Sequence, residues 1–256
     1  MSDSCTNMMP LAFLNHGGGP LPIIGQQPEV ANMLKTFGAS IETKPKAILI
    51  VTAHWVTDVI SVSSGTSHSL LYDYSGFPPE TYKYKYDAPG SPELAESVYK
   101  LLSSANIPCQ KDSTRGWDHG VFVPLMLSFP EATIPVVSMS LHSSLDPNTH
   151  LRIGEILAPL REQGVLILGS GVSFHNFDYF FSKGSKHNEG IKHSKTWNDY
   201  LVESMTSDSI SKSDRLSRLS NWHKGPSALE CHPPRQEEHL IPLHVIAGVA
   251  KGSKAD

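Results

Sequence analysis

Residues 47–55 read AILIVTAHW. Five apolar side chains, Ala47 to Val51, run without a polar break. An unbroken aliphatic and β-branched run of this length is the pattern of a strand covered on both faces, as in a parallel sheet packed between helices. Ligands of open α/β sheets bind beyond the carboxyl ends of such strands, and there the run meets His54. Two further stretches repeat the arrangement. Leu11–Leu14 leads to His16 in LAFLNHGGGP, and Val165–Leu168 leads to His175 in VLILGSGVSFHN. Three candidate parallel strands each deliver a histidine to one sheet edge, which predicts a metal held there by imidazoles.

The segments between these strands supply the covering helices. Spacing of apolar residues predicts helices over residues 28–37 (Val30, Met33, Leu34 and Phe37 on one face), 93–105, 193–205 and 214–222. A buried helix is expected over 121–128. Another is expected over 146–164, with Asp146 as N-cap, Pro147 in the first turn and an interruption at Pro159. The final run, QEEHLIPLHVIAGV at 236–249, reads as an apolar helix with Pro242 inside it. Shorter strands are expected at 56–64, with 59–62 its apolar core, at 107–110 and at 134–141. Residues 182–192 read as a loop, and so does 72–92, whose tyrosines, glycines and prolines mark a structured loop of the kind that forms binding sites. No repeat and no linker divides the chain. The expectation is one α/β domain over residues 1–256, a mostly parallel central sheet flanked by helices, with residues 1–10 a loose tail.

Composition narrows the function classes. The net charge of the 256 residues is −4 with no lysine–arginine cluster, which argues against a nucleic-acid surface. The three cysteines, Cys5, Cys109 and Cys231, are odd in number and lack CxxC spacing, so a reducing compartment is expected. The first residues lack the basic and apolar regions of a signal peptide, and no apolar run approaches a membrane span. These features predict a cytoplasmic or nuclear chain, monomeric or homodimeric, without nucleic-acid or membrane partners.

Thirteen histidines are the unusual count. A lone histidine after a strand is more often structural than a ligand, but His16, His54 and His175 support one another by position. His239, in HPPRQEEHLIPL, is the candidate fourth member. His232 lies seven residues earlier, but Pro233 and Pro234 work against a helix joining the two. Glu237 and Glu238 offer carboxylates beside His239, or simply complement a helix N-terminus. His119, in GWDHG, reads either as an acid/base or substrate-contacting group or as a core histidine bonded to backbone. His68, His142, His150, His187, His193, His223 and His244 are expected to be solvent-facing or structural. GSGVS at 169–173 does not form a G-x-S-x-G nucleophile elbow.

Six motifs then line up along the chain: NHGGGP at 15–20, TAHW at 52–55, GFPPETYKYKYDAPGSPELA at 76–95, WDHG at 117–120, SGVSFHN at 170–176 and EEHLIPL at 237–243. In this order they resemble the class III extradiol ring-cleavage dioxygenases of the LigB-like superfamily, DOPA 4,5-dioxygenase type. The resemblance implies a single α/β domain with one mononuclear non-haem divalent metal at the strand ends, Fe(II) for activity or Zn(II) as commonly bound. It implies that His16, His54 and His239 are metal ligands. His175 matches a position that serves as acid/base catalyst or as an additional ligand, and His119 matches an active-site histidine near substrate. The implied reaction opens the ring of a DOPA-like catechol with O2. The sequence departs from the pattern in HGGGP, where HGSP is usual, and in the added Arg235-Gln236. Two other classes fit the same histidines: a zinc-dependent hydrolase using a carboxylate base such as Glu238, and a non-catalytic metal-binding protein on the same scaffold.

Overall fold

The computed structural model describes residues 8–255. Its strands are β1 (Leu11–Asn15), β2 (Ala47–Thr57), β3 (Ile60–Ser63), β4 (Cys109–Asp112), β5 (Val136–His142) and β6 (Val165–Gly171). Its helices are α1 (Pro28–Ser40), α2 (Pro92–Ser104), α3 (His119–Ser128), α4 (Pro147–Leu157), α5 (Phe177–Phe180), α6 (Ser185–Thr206), α7 (Lys212–Ser220), α8 (Ala228–Cys231) and α9 (Ile241–Val249). The strands form one sheet in the order β1-β6-β2-β5-β3-β4. Every pairing is parallel except β3 with β5.

Both sheet faces are covered, as the unbroken apolar runs require. Alternation along β2 sends Leu49 and Val51 to one side, where they join Val98 and Leu102 of α2, Leu157 of α4 and Val245 of α9. Ile48 and Ile50 go to the other side and pack with Leu34 of α1, Leu125 of α3 and Trp117. A third cluster, built on Trp197, Leu219, Trp222 and Leu243, ties α6 and α7 to α9. Helices α4 and α9 cross with backbone against backbone. A Cβ at Gly154 would run into the Val245 carbonyl and sit 2.9 Å from the Gly248 Cα. Gly154→Ala is therefore expected to cost about 1–3 kcal/mol through overpacking, read as a drop in the denaturant midpoint at unchanged slope.

Several elements depart from the sequence reading for identifiable reasons. The run expected to end at Val51 continues as strand to Thr57, so His54 lies within β2 rather than beyond it. The register against β5 shifts between Val51 and Val56, and this irregularity carries the strand past the TAHW motif. Residues 182–192 are mostly helix, because α6 begins at Ser185. Its first turns are polar and largely exposed, so they carry no apolar periodicity. The last helix begins at Ile241, not 236. Pro242 sits in its first turn, where a missing N–H costs nothing, and His239 occupies the turn before it. The helix expected over 146–164 is α4 followed by a 3-10 segment, Ala158–Gln163, entered at Pro159. Asp146 does cap α4, its carboxylate accepting the Thr149 N–H at 2.8 Å. Residues 1–7 of the expected tail, Cys5 included, lie outside the described residues. Met9 is buried, and its carbonyl accepts the Arg161 Nε–H at 2.6 Å.

Candidate metal centre and active-site cavity

The sheet order explains how three distant histidines meet. Strands β1, β6 and β2 are adjacent and parallel, so their carboxyl ends share one edge. His16 follows β1 directly. His54 is held by the irregular end of β2, which a buried network fixes. The Thr52 hydroxyl donates to Asp118 Oδ1 (2.8 Å) and accepts the His54 backbone N–H (3.2 Å). The Arg115 guanidinium bridges the His54 carbonyl (3.2 Å) and Asp118 Oδ2 (3.3 Å). Burial and the neighbouring Asp73 carboxylate push the Asp118 pKa up, while Thr52 and Arg115 pull the other way. β6 contributes Ser170, which supports His16. Gly17 turns the chain away after His16 with φ +76°, a left-handed conformation suited to glycine.

The Nε2 atoms of His16 and His54 are 3.2 Å apart, and so are those of His54 and His239. The second nitrogen of each ring determines what these close contacts mean. Ser170 donates its hydroxyl proton to the Gly120 carbonyl, so its oxygen accepts from His16 Nδ1 at 2.8 Å. His54 Nδ1 faces Asp73 Oδ2 (3.3 Å), and His239 Nδ1 faces Glu238 Oε1 (3.0 Å). Each Nδ1 therefore carries the proton, and each Nε2 presents a lone pair. Lone pairs facing one another at 3.2 Å, as His54 faces both His16 and His239, repel unless a cation or proton lies among them.

Protonation is disfavoured. Burial, reinforced by the neighbouring imidazoles, takes the His16 pKa well below its ordinary value and lowers that of His54 to about 2. Burial lowers His239 to about 4, with Glu238 opposing. Three neutral nitrogen donors converging in a buried site fit a divalent transition metal. The supporting serine and carboxylates are of the kind that orient imidazoles when these bind a metal. Two other groups of potential ligand atoms overlap this set: His54, Asp73 and His119, and His175, Glu238 and His239. In both, the carboxylate is already taken by histidine Nδ1 atoms.

The remaining predicted residues gather around the trio. His119 opens α3 with its ring 3.9 Å from that of His54, centroid to centroid. Its Nδ1 and backbone nitrogen both approach Asp73 Oδ1, at 2.8 and 2.9 Å. His175 stacks on His239 at 3.5 Å with an interplanar angle of 18°, and its Nδ1 shares Glu238 Oε1 at 3.3 Å. Burial alone would raise the Glu238 pKa. Hydrogen bonds from His175 and His239 outweigh it and hold the carboxylate far below its usual range. Asp73 is lowered in the same way, burial being overcome by His119 and His54.

His232 does not join them; it is buried and donates from Nε2 to the Ser173 carbonyl at 2.9 Å. Glu237 lines a different cleft, beside Trp222 and Arg235. Asp73 is the residue that sequence reasoning did not single out. The signal available was its place in the tyrosine-rich loop, YDY at 72–74. The loop's own aromatics mostly serve the loop: Tyr72 and Tyr74 donate to the carbonyls of Tyr84 and Thr81. Asp73 and Phe77 are what it contributes to the cavity wall. That cavity has a volume of about 500 Å³ and is floored by His16, His54, His119, His175 and His239.

Comparison with known proteins identifies the family. Residues 12–256 match the family described as the catalytic LigB subunit of aromatic ring-opening dioxygenase. The chain is 39% identical to Dioxygenase tasH of Hapsidospora irregularis, over 95% of this chain and 78% of that one. It is 37% identical to 4,5-DOPA dioxygenase extradiol of Beta vulgaris, over 98% of this chain and 90% of that one. The crystal structure of an uncharacterized protein from Escherichia coli K12 superposes with a TM-score of 0.69 at 26% identity, covering 94% of this chain and 88% of that one. No helix among the described residues is long and apolar enough to cross a membrane. The chain belongs to the LigB family of aromatic ring-opening dioxygenases, as a class III extradiol enzyme of the 4,5-DOPA dioxygenase type.

Proposed function

We propose that this protein opens the ring of a DOPA-like catechol with O2 at one mononuclear non-haem metal held by His16, His54 and His239. The observation that carries the reading is the convergence of three neutral Nε2 donors at the floor of a cavity large enough for a substituted ring. Fe(II) bound there supplies a Lewis-acidic, redox-active centre for the two catechol oxygens and for O2; Zn(II) fits the same donors without the redox chemistry. Both oxygen atoms of O2 enter the product, and the ring bond beside the two hydroxyls breaks.

The chain's own groups handle protons and position. His175 keeps its Nδ1 proton on Glu238, which leaves Nε2 free to take a phenolic proton from the incoming catechol. Its stacking on His239 brings its ring alongside the trio. His119, anchored twice to Asp73, presents its Nε2 side toward the cavity as a contact for substrate. Phe77 and the chain around Phe174–Phe181 line the cavity, and an apolar wall limits water around the reacting ring.

The protein reconstituted anaerobically with Fe(II) is expected to consume oxygen in step with formation of a yellow ring-opened product when a catechol is added in air. His175→Ala is expected to retain its metal at one per chain while turnover falls about 10²–10⁴-fold, the range for losing a positioned acid/base. Metal analysis beside oxygen uptake checks both halves. Loss of metal in this variant would make His175 a fourth ligand, and a closed four-histidine site would then favour the zinc-binding, non-redox reading.

A further inference from the structure

The wall of the cavity speaks to which catechol it takes. No lysine or arginine is found among the described residues that line it. The carboxylate there, Asp73, is already engaged by His54 and His119. An amino-acid side chain on the ring brings a carboxylate and an ammonium, and burying either without a partner is costly.

The amide oxygens of Asn15, Gln27 and Asn176 on the same wall already accept the backbone N–H groups of Gly17, Gly18 and Asp178, and what the wall offers beside them is aromatic surface. Phe177, Phe180 and Phe181 surround the cavity side of α5 and remain 55%, 50% and 73% exposed, which is high for phenylalanine. Their rings form one cluster, with centroids 5.4 Å apart for Phe177–Phe181 and 5.1 Å for Phe180–Phe181. Phe177 also lies 4.6 Å from the ring of His175, so the cluster begins at the reacting end of the cavity. It then continues outward. A second cavity of about 410 Å³, against Ile191 of α6, shares Phe174, Phe180 and Ser194 with the first. Lys195, on the lining of that second cavity, is held by Asp199 at 2.6 Å.

We propose that the site selects catechols bearing an uncharged apolar substituent, alkyl or aryl, which lies against Phe177, Phe180 and Phe181 and reaches toward the second cavity. The proposal rests on the ring-cleavage reading above and revises its substrate, keeping the catechol and replacing the DOPA-like side chain with an apolar one. It places the two hydroxyls at the histidine floor and the substituent at the aromatic rim, where covering the exposed phenylalanines removes apolar surface from water.

The test separates binding from turnover. The intact protein is loaded anaerobically with Fe(II) and titrated by calorimetry with catechol, 4-butylcatechol and DOPA, and air is then admitted while oxygen uptake is followed. The four added carbons are expected to tighten binding of 4-butylcatechol over catechol at least ~30-fold, within the ~200-fold that their complete burial would give. DOPA is expected to bind at least ~10-fold more weakly than 4-butylcatechol. Phe181→Ala is expected to weaken 4-butylcatechol about 5-fold more than catechol. Binding of DOPA as tightly as 4-butylcatechol would overturn the proposal, even if oxygen uptake upheld ring cleavage. The expected order without oxygen uptake would uphold the apolar selectivity and overturn the ring-cleavage reading. Absence of binding by all three would overturn both.

Discussion

Replacing His54 with alanine is expected to abolish stoichiometric metal binding and, with it, catechol-dependent oxygen uptake. His54 is the central member of the trio, because its Nε2 lies 3.2 Å from the Nε2 of both His16 and His239. Removing it leaves two nitrogens that do not enclose a site. Losing an outer partner of a metal ligand typically costs 10–100-fold in affinity, and loss of the central ligand itself is expected to exceed that range. The scaffold should survive: His54 is only half-buried, and Thr52, Asp118 and Arg115 hold the end of β2 through backbone and side-chain contacts that do not need the imidazole. Far-ultraviolet circular dichroism should match the parent while metal per chain falls to background. Retention of one tightly bound ion in His54→Ala would show that the metal sits elsewhere, for instance among His175, Glu238 and His239.

Mild acid is expected to destabilise the protein strongly, through histidines remote from the cavity. His150 is buried, donates from Nδ1 to the Asp146 carbonyl (2.8 Å) and accepts the His142 backbone N–H at Nε2 (3.1 Å). His244 is buried and donates from Nε2 to the Leu219 carbonyl (3.0 Å). Burial lowers both pKa values from 6.5 to about 4. The folded state therefore stays neutral at these positions while the unfolded chain begins to take up protons near pH 6.5. Stability is full above that pH and falls as the pH drops from 6.5 toward 4, because the unfolded state binds more protons. At pH 5 each residue accounts for a loss of about 2 kcal/mol, a large share of the 5–15 kcal/mol that stabilises a typical domain. Denaturant midpoints measured between pH 7 and 5 check this. His150→Gln should remove about 2 kcal/mol of the loss between pH 7 and 5, and an unchanged dependence would show that other groups control acid sensitivity.

The aliphatic runs at 11–14, 47–51 and 165–168 were enough to specify a buried parallel sheet, because a strand covered on both faces has no polar period to confuse with anything else. The histidines after those runs, and the ordered motifs around them, were likewise legible as a cluster able to hold a metal. Boundaries were less so. The polar start of α6 carries no periodic signal, since only a covered helix face leaves one in the sequence.

The roles of the site residues lay mostly beyond the sequence. Nothing local relates Asp73 to His54 and His119, or Ser170 to His16, across separations of 154 positions in the second case. The Ser170–His16 pairing exists because β1 and β6 are neighbours in the sheet, an order set by crossover connections rather than by any one segment, and the Asp73 contacts exist because the loop at 72–92 folds over that edge. His175 shows the limit most clearly. Its place after β6 suggested kinship with His16 and His54, yet the chain beyond Gly171 carries it onto the face of His239, where Glu238 fixes its proton. Sequence by itself determined the layers and which imidazoles reach the sheet edge, since both follow from hydrophobic patterning. Tertiary structure alone decided which nitrogens converge and which retain protons, because a tautomer is set by partners that only the folded chain brings within hydrogen-bonding distance.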